Sequence, residues 1–599
     1  MSLASRLACL GGAVCVSGCS LFFPSSDMTT AGGGWEVHPL RADSVGYVTG
    51  RVKLATLVLP TGMAMLADPT AEVHDAATDV LVWPCTMTGP KTDPDTGAVV
   101  YEADFTAFTE PGRYYVQARG LVDPMTQLPA QSAPFQIAPD AFRDTLTRAM
   151  IGMYGQRCGT AVSIALDGDT WSHGACHAHD ASQKYLPPVM ADVVKPSEKG
   201  WHDAGDYGKY VTNGAFAVGM LLDAWQHFQP TLAALALPIP EHGTNTTPDF
   251  LSEVRWELEW LLTTQRADGA VSHKVTALQF EGFILPEADG QPRYYTDIGT
   301  SATADFVAVM AQAARIYAPY DATFADTCKQ QAMLGYQFLQ QNPTRIFPDE
   351  SMFGTGGYQD NAKGEAGARL WAAAELWETT GDPAVLADVE NRLWNATAAT
   401  PALRLQVENN FDWGDPTNLG MFTYLVSQRT DRNPDIVSAL GASAVAIADG
   451  LVTVAQAAAF GRAINGYFWG SNGTVARAAM NLWVANVVSP DPKYLDAIEL
   501  QLDHLLGRNI YDRSQVTMVG YHPPIRPQHR PSIADQVSDP WPGMLVGGAN
   551  QQDASGSTTA AMTWVDSSDH AELNEIAINW NGALIYAAAA LTPPAAATP

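Results

Sequence analysis

The sequence predicts a small all-β sandwich of immunoglobulin-like build followed by a large all-α domain of barrel or toroid type. Three observations carry this. Residues 35–138 hold short apolar runs ("VKLATLVL", "AVVYEADF", "RYYVQARG") broken by turn residues such as "DPDTG" and "EPG", a spacing that suits a sandwich of about a hundred residues. From 139 to 599 the apolar period changes from two to 3.6 and about a dozen alanine-rich helical segments follow one another. With 46% hydrophobic and 16% charged residues in 599 positions, the chain has the material for a large buried core.

The first residues, "MSLASRLACLGGAVCVSGCS", combine one arginine, an apolar run too short to span a membrane and small residues before Cys19. This reads as an export signal over 1–18, and "VSGC" resembles a bacterial lipobox in which Cys19 becomes the lipidated first residue. The alternative is an ordinary signal peptide cut a few residues later. Ser20 after the cysteine, with no aspartate, suits an outer-membrane destination in a Gram-negative cell, periplasmic or cell-surface. Residues 19–34 are small and polar with a glycine run, a tether. Of seven cysteines, Cys9 and Cys15 leave with the signal and Cys19 carries lipid, so Cys85, Cys158, Cys176 and Cys328 remain, too few for a disulfide framework in a chain of this size.

A formal net charge of -29 and a pI near 4.6 exclude nucleic acid and anionic lipid as partners, because the summed field repels them. Membrane contact is expected only through Cys19, and the chain is expected to act as a monomer.

In the helical part, Phe142, Leu146, Met150 and Met153 share one face, as do Phe250, Val254, Leu258 and Leu261 behind Pro248, and Leu495, Ile498, Leu502 and Leu505. Further helices fit "TSATADFVAVMAQAARIY", "ARLWAAAELWETTGD" and "AELNEIAINWNGALIYAAAAL". Function is expected in the long loops at one end. One of them, "GWHDAGDYGKY" (200–210), sets Asp203 and Asp206 three positions apart behind His202, with Gly205 freeing the backbone, and feeds a helix starting "VTNGAF".

Cleaving a glycosidic bond takes a protonated carboxylic acid beside the leaving oxygen and a carboxylate that activates water or attacks carbon. Asp206 and Glu575 are the candidates. Glu575 opens an apolar helix against Ile576 and Trp580, a setting that would keep a carboxyl protonated. Taken singly, "NE" also reads as a helix cap and "DAGD" as a common turn.

Together, "WHDAGDYGKYV", "DGAVSHKVT", "ATADFVAVMAQAARIY", "WAAAELWETTGD" and "NEIAINWNGALIYA" are similar to glycoside hydrolase family 9, the cellulase family built on an (α/α)6 barrel. "LRADSVGYVTG" and "DFTAFTEPGRYYVQARG" resemble the immunoglobulin-like module that precedes many of those catalytic domains. The resemblance implies Asp206 as the general base of an inverting mechanism, Asp203 as the partner that helps hold the water and Glu575 as the general acid. Inversion requires acid and base about 6.5–9.5 Å apart. Tyr207, His273, Lys274, Gln528, His529 and Arg530 fall where the family lines its sugar-binding cleft. Cys158, Cys176, His177 and His202 match positions that often carry structural zinc, and two thiolates with two imidazoles make a tetrahedral set. The alternative is a disulfide between Cys158 and Cys176.

Three departures bear on specificity. Gln528 stands where the family usually has the first histidine of a His-His-Arg triplet, Ala571 where a tyrosine is usual, and Gly367–Ala368 where an Asp-Glu pair often precedes the helix. A calcium site relying on that pair would be lost, leaving other acidic loops as places for calcium. The expected activity is cleavage of β-1,4-glucan or cello-oligosaccharides. The rivals are an exo-β-glucosaminidase acting on chitosan oligosaccharides and a non-catalytic glycan-binding protein, which would have no need of all three carboxylates.

Overall fold

The computed structural model describes residues 37–59, 66, 68–123, 127–398, 400–555 and 559–595. The export signal, Cys19 and the tether lie outside the described residues.

The first part is a β-sandwich of nine strands: β1 (Leu40–Arg41), β2 (Gly46–Val48), β3 (Leu54–Val58), β4 (Thr70–Asp75), β5 (Leu81–Thr92), β6 (Val99–Asp104), β7 (Gly112–Val122), β8 (Pro129–Gln131) and β9 (Phe135–Ala138). The strand order is β1-β3-β6-β5-β4-β7-β9-β2, with β8 on β7. β5 serves both layers. Its first half pairs antiparallel with β4, Cys85 opposite Ala71, and its second half with β6, Met87 opposite Ala103. The register slips between Thr88 and Lys91, where Gly89 and Pro90 interrupt the ladder, as expected where proline has no N–H to donate. Inward residues alternate along β7, with Tyr114, Val116 and Ala118 buried. They close on Tyr47, whose ring meets Phe105 and Phe135 edge-on at 5.2 and 5.0 Å.

The helices follow: α1 (Arg143–Gly155), α2 (Val211–Leu232), α3 (Asp249–Thr264), α4 (Thr300–Tyr317), α5 (Ala322–Gln341), α6 (Ala362–Thr380), α7 (Pro383–Leu393), α8 (Thr417–Val426), α9 (Pro434–Ala457), α10 (Ser471–Val488), α11 (Pro492–Leu506), α12 (Arg530–Ala534), α13 (Ala571–Asn574) and α14 (Ile578–Leu591). Six of them, α2, α4, α6, α8, α10 and α14, pack each on the next, and α14 returns to α2 to close a ring. α1, α3, α5, α7, α9 and α11 pack outside it, which makes an (α/α)6 barrel. Burial explains which helix goes where. α4 is buried at every position except Arg315 and α14 at every position except Ala590, so both suit the inner ring. α5 and α7 bury one face each and suit the outside. Small residues permit the tight inner contacts: a Cβ on Gly219 would lie 2.4 Å from the Trp371 ring.

Sandwich and barrel form one compact unit over His38–Pro599. Ser44 N donates to Leu506 O at 3.0 Å, Val48 N to Glu499 Oε1 at 2.8 Å, and Arg508 Nη2 to Glu102 Oε2 at 2.7 Å.

One predicted helix is broken. "AELNEIAINWNGALIYAAAAL" is α13, an extended step at Glu575 (φ -65°, ψ 156°), and α14. Residues 575 and 576 make bridges to Gln528 and Val546 instead. Tertiary pairing overrides local helix propensity there.

Candidate active site

The segments leading into the N-termini of α2, α6, α8, α10 and α14 meet at one mouth of the barrel, around a cleft of about 580 Å³. The Asp203–Tyr210 turn is the most heavily stitched. Asp203 N donates to Gly208 O at 3.0 Å, and Asp206 Oδ2 accepts from Gly208 N at 2.9 Å and Tyr210 Oη at 3.1 Å. Asp203 Oδ1 accepts from Asn213 Nδ2 at 2.8 Å, and its Oδ2 accepts from the Tyr358 hydroxyl. Lys209–Tyr210 then pairs with Lys274–Ala277, which pairs with Arg293–Tyr295. Gly205 serves close approach and not a left-handed backbone: a Cβ there would meet Gln528 Oε1 at 2.0 Å and Gln528 O at 2.2 Å.

Glu575 enters the cleft from an extended strand between two neighbours. Gln528 N donates to Asn574 O at 2.8 Å and Gly547 N to Glu575 O at 2.8 Å. Ile578 N donates to Asp203 O at 3.0 Å, tying the two acid-bearing segments directly together. Burial, then the nearby Asp206 and Asp203, push the Glu575 carboxyl up to about 8, against the opposing pull of Arg530 and of a hydrogen bond from Trp469. Burial and then Asp206 likewise push Asp203 up to about 8, opposed by Tyr358 and Asn213.

The remaining wall is aromatic: Tyr210, Phe280, Tyr358, Trp413, Trp469 and Trp580. Phe280 is 46% and Trp469 50% exposed, so both present faces on which a sugar ring can stack. Tyr358 has a left-handed backbone (φ 44°), unusual for a large side chain, and Trp413 packs edge-on against it at 4.8 Å.

Of the residues expected to contact sugar, Gln528 and Arg530 line the cleft, and so does Ala571. The other four do not. Tyr207 is buried, its hydroxyl donating to Ile284 O at 2.5 Å. His529 is buried behind the cleft, its Nε2 3.0 Å from Gln156 Oε1 and its Nδ1 2.8 Å from Ser532 Oγ. His273 Nε2 lies 3.1 Å from Gly357 O, and Lys274 Nζ donates to Gly356 O at 2.8 Å while pairing with Glu350 at 3.2 Å. These two therefore brace the loop that presents Tyr358, one layer back from the cleft. Arg530 pairs with Glu281 at 2.7 Å and donates to Gly205 O at 2.5 Å, so it also clamps the aspartate turn. Sequence reasoning missed Tyr358, Trp413 and Trp469. The available signal was an aromatic beside glycine or a turn just before a helix, in "GTGGYQDN", "NFDWGDP" and "GYFWGS".

Behind the turn, Cys158, Cys176, His177 and His202 bring one ligand atom each within 4.8 Å of one another, the one such group of His, Cys, Asp or Glu among the described residues. Cys158 Sγ lies 3.5 Å from His177 Nδ1, and Cys176 Sγ lies 3.8 Å from His202 Nε2. Zinc–ligand bonds of about 2.0–2.3 Å imply tetrahedron edges of roughly 3.3–3.8 Å, so the donor set fits that ion. Both thiols are free, not joined as a disulfide. Burial holds the His202 imidazole neutral, down to about 3, the form that ligates metal. Asp289 Oδ2 sits 3.4 Å from His177 Nε2, an outer partner that fixes the ring. At the departure from the Asp-Glu pair, Gly367 has no room for a side chain: a Cβ would meet Thr417 Oγ1 at 2.1 Å.

The model of glycosyl hydrolase family 9 matches residues 142–588, three quarters of the chain and all but the last three residues of the barrel ring. The chain belongs to glycosyl hydrolase family 9. A second model, the cellulase N-terminal ig-like domain, matches residues 37–122. Endoglucanase D of Acetivibrio thermocellus is 42% identical over 555 residues, covering 92% of this chain and 83% of the relative. A cellodextrinase of Butyrivibrio fibrisolvens is 34% identical over 83% of this chain and 90% of its own. The crystal structure of a metagenome-derived family 9 endoglucanase superposes with a TM-score of 0.83 at 36% identity, covering 92% of this chain and 98% of that one. The fold and family expected from the sequence are both confirmed.

Proposed function

We propose that this family 9 glycoside hydrolase cleaves β-1,4-glucan or cello-oligosaccharides with inversion, using Glu575 as general acid, Asp206 as general base and Asp203 as a second acceptor for the attacking water. The observation that carries this reading is the convergence of three carboxyl groups from two separate segments on one aromatic cleft. Protonated Glu575 gives its proton to the glycosidic oxygen as the bond to the anomeric carbon breaks. Asp206 takes a proton from the water that attacks the opposite face of that carbon. The step leaves Glu575 ionised and Asp206 protonated, and exchange with solvent restores both.

Burial and the charge of Asp206 favour the proton on Glu575 at neutral pH. Tyr210 and Gly208 fix the Asp206 carboxylate from one side, leaving its other oxygen for water. The chitosan reading has less support, because the similar relatives are an endoglucanase and a cellodextrinase. Zinc held by Cys158, Cys176, His177 and His202 would be structural: a closed four-ligand site supplies no open position for chemistry and ties the end of α1 to the catalytic turn. The expected export, lipid attachment at Cys19 and monomeric state complete the proposal, with a neutral glucan suiting the acidic chain.

The test is hydrolysis of cellotetraose by Asp206→Asn and Glu575→Gln, each of which should lose at least ~10²-fold in kcat while folding normally. Near-normal rates in either variant refute the assignment, and product that retains the anomeric configuration refutes inversion.

A further inference from the structure

The β-sandwich reaches the catalytic cleft without lining it. The turn between β5 and β6 is closed by Asp93, whose Oδ2 accepts from Thr96 N at 3.0 Å and Thr96 Oγ1 at 2.6 Å. This rigid turn holds Asp95 against the loop before α10, where Asp95 Oδ2 accepts from Tyr467 Oη at 2.7 Å. Under the Tyr467 ring, 4.0 Å from its centroid, lies the buried guanidinium of Arg462. Arg462 donates to Ile464 O and, at 2.6 Å, to Gly466 O, so it folds the loop back on itself. Among the described residues Arg462 forms no direct ion pair; Asp95, across the Tyr467 ring, is the carboxylate whose field it feels. On the other side Gln551 N donates to Tyr467 O at 2.9 Å. Two residues on, Trp469 projects into the cleft that Glu575 also lines.

We propose that Asp95 of the β-sandwich is a positioning residue for the barrel's active site, setting Trp469 against substrate and Glu575 through its hydrogen bond to Tyr467. The inference rests on the reading of Glu575 as proton donor. The loop from Arg462 to Gly470 is pinned at Tyr467 by the Asp95 carboxylate, the Arg462 cation and the Gln551 amide. Removing the carboxylate takes away the partner of the phenol and the nearest compensation for a buried cation, so the ring loses its fixed orientation. Trp469, two residues away, is half exposed. An Asp95 that merely glued the sandwich to the barrel would alter stability and leave catalysis alone.

The experiment measures kcat and KM for cellotetraose against pH in the full chain, for wild type, Asp95→Ala, Tyr467→Phe, the double variant and Glu575→Gln, with melting temperature recorded for each. Each single variant should lose roughly three- to ten-fold in kcat/KM, the effect of one hydrogen bond. The double variant should lose no more than either single, because both remove one interaction. The indole N–H favours ionised Glu575, so freeing Trp469 should move the alkaline limb of kcat/KM to higher pH. Asp203, Asp206 and Arg530, the other charged groups facing Glu575, stay in place in every variant. Unchanged kcat/KM and an unchanged limb in both singles, with or without a lower melting temperature, overturn the inference. Activity retained by Glu575→Gln overturns the proton-donor reading instead, so the two failures are told apart.

Discussion

Replacing Gly205 by alanine tests how closely the two acid-bearing segments must sit. The added Cβ would lie 2.2 Å from the backbone oxygen of Gln528 and 2.0 Å from its Oε1. Ordinary carbon–oxygen contact begins near 3.4 Å, so the Gln528 backbone must retreat by about 1.2 Å. It cannot retreat alone, because Gln528 N is bonded to Asn574 O and the strand bridges Glu575. The displacement therefore widens the gap between Asp206 and Glu575, and a misplacement of about 1 Å can cost roughly 10²-fold in rate. We expect Gly205→Ala to fall about 10²-fold in kcat on cellotetraose while retaining the native circular dichroism spectrum and metal content. Adding Gln528→Ala should not rescue it, since the backbone clash remains. A Gly205→Ala enzyme within about threefold of wild type, or full rescue by Gln528→Ala, would refute the reasoning.

Glu575 must carry its proton to act, and its carboxyl is pushed up to about 8 by burial and then by Asp206 and Asp203; kcat/KM should decline as pH rises through that value, and an alkaline limb already falling at pH 6 would contradict this. The donor quartet predicts about one zinc per chain by elemental analysis, with a strong chelator lowering the melting temperature; a metal-free protein with Cys158 bonded to Cys176 would contradict that. Gln528 lines the cleft while His529 is buried elsewhere, so Gln528→His should raise the rate on cello-oligosaccharides about tenfold by adding a charge-assisted donor; no gain in the specificity constant counts against it. Lys274→Met should lower kcat/KM about tenfold by releasing Gly356 and with it Tyr358, and an unchanged rate would remove Lys274 from the support of the cleft.

Much of this protein was legible in the sequence because the signals are local. The change of apolar period near 139 separates sandwich from barrel, and helices such as Thr300–Tyr317 begin and end where the pattern does. The turn bearing Asp203 and Asp206 reads alone as a common turn, and it and the Cys158, Cys176, His177 and His202 quartet stand out through the resemblance to family 9. Which buried side chain faces the cleft is another matter, decided by contacts between segments far apart in the chain. Glu575 looked helical and is extended because Gln528 and Val546 flank it. His273 and Lys274 looked like sugar ligands, yet their partners on the 356–357 loop turn them into supports. Tyr358, from a loop with no helical or strand pattern, reaches Asp203 across 155 positions. The sequence by itself determined the types and order of elements and the chemistry at hand. Only the tertiary structure decided which groups share the low-dielectric cleft, because burial and orientation belong to the packed barrel and not to any one segment.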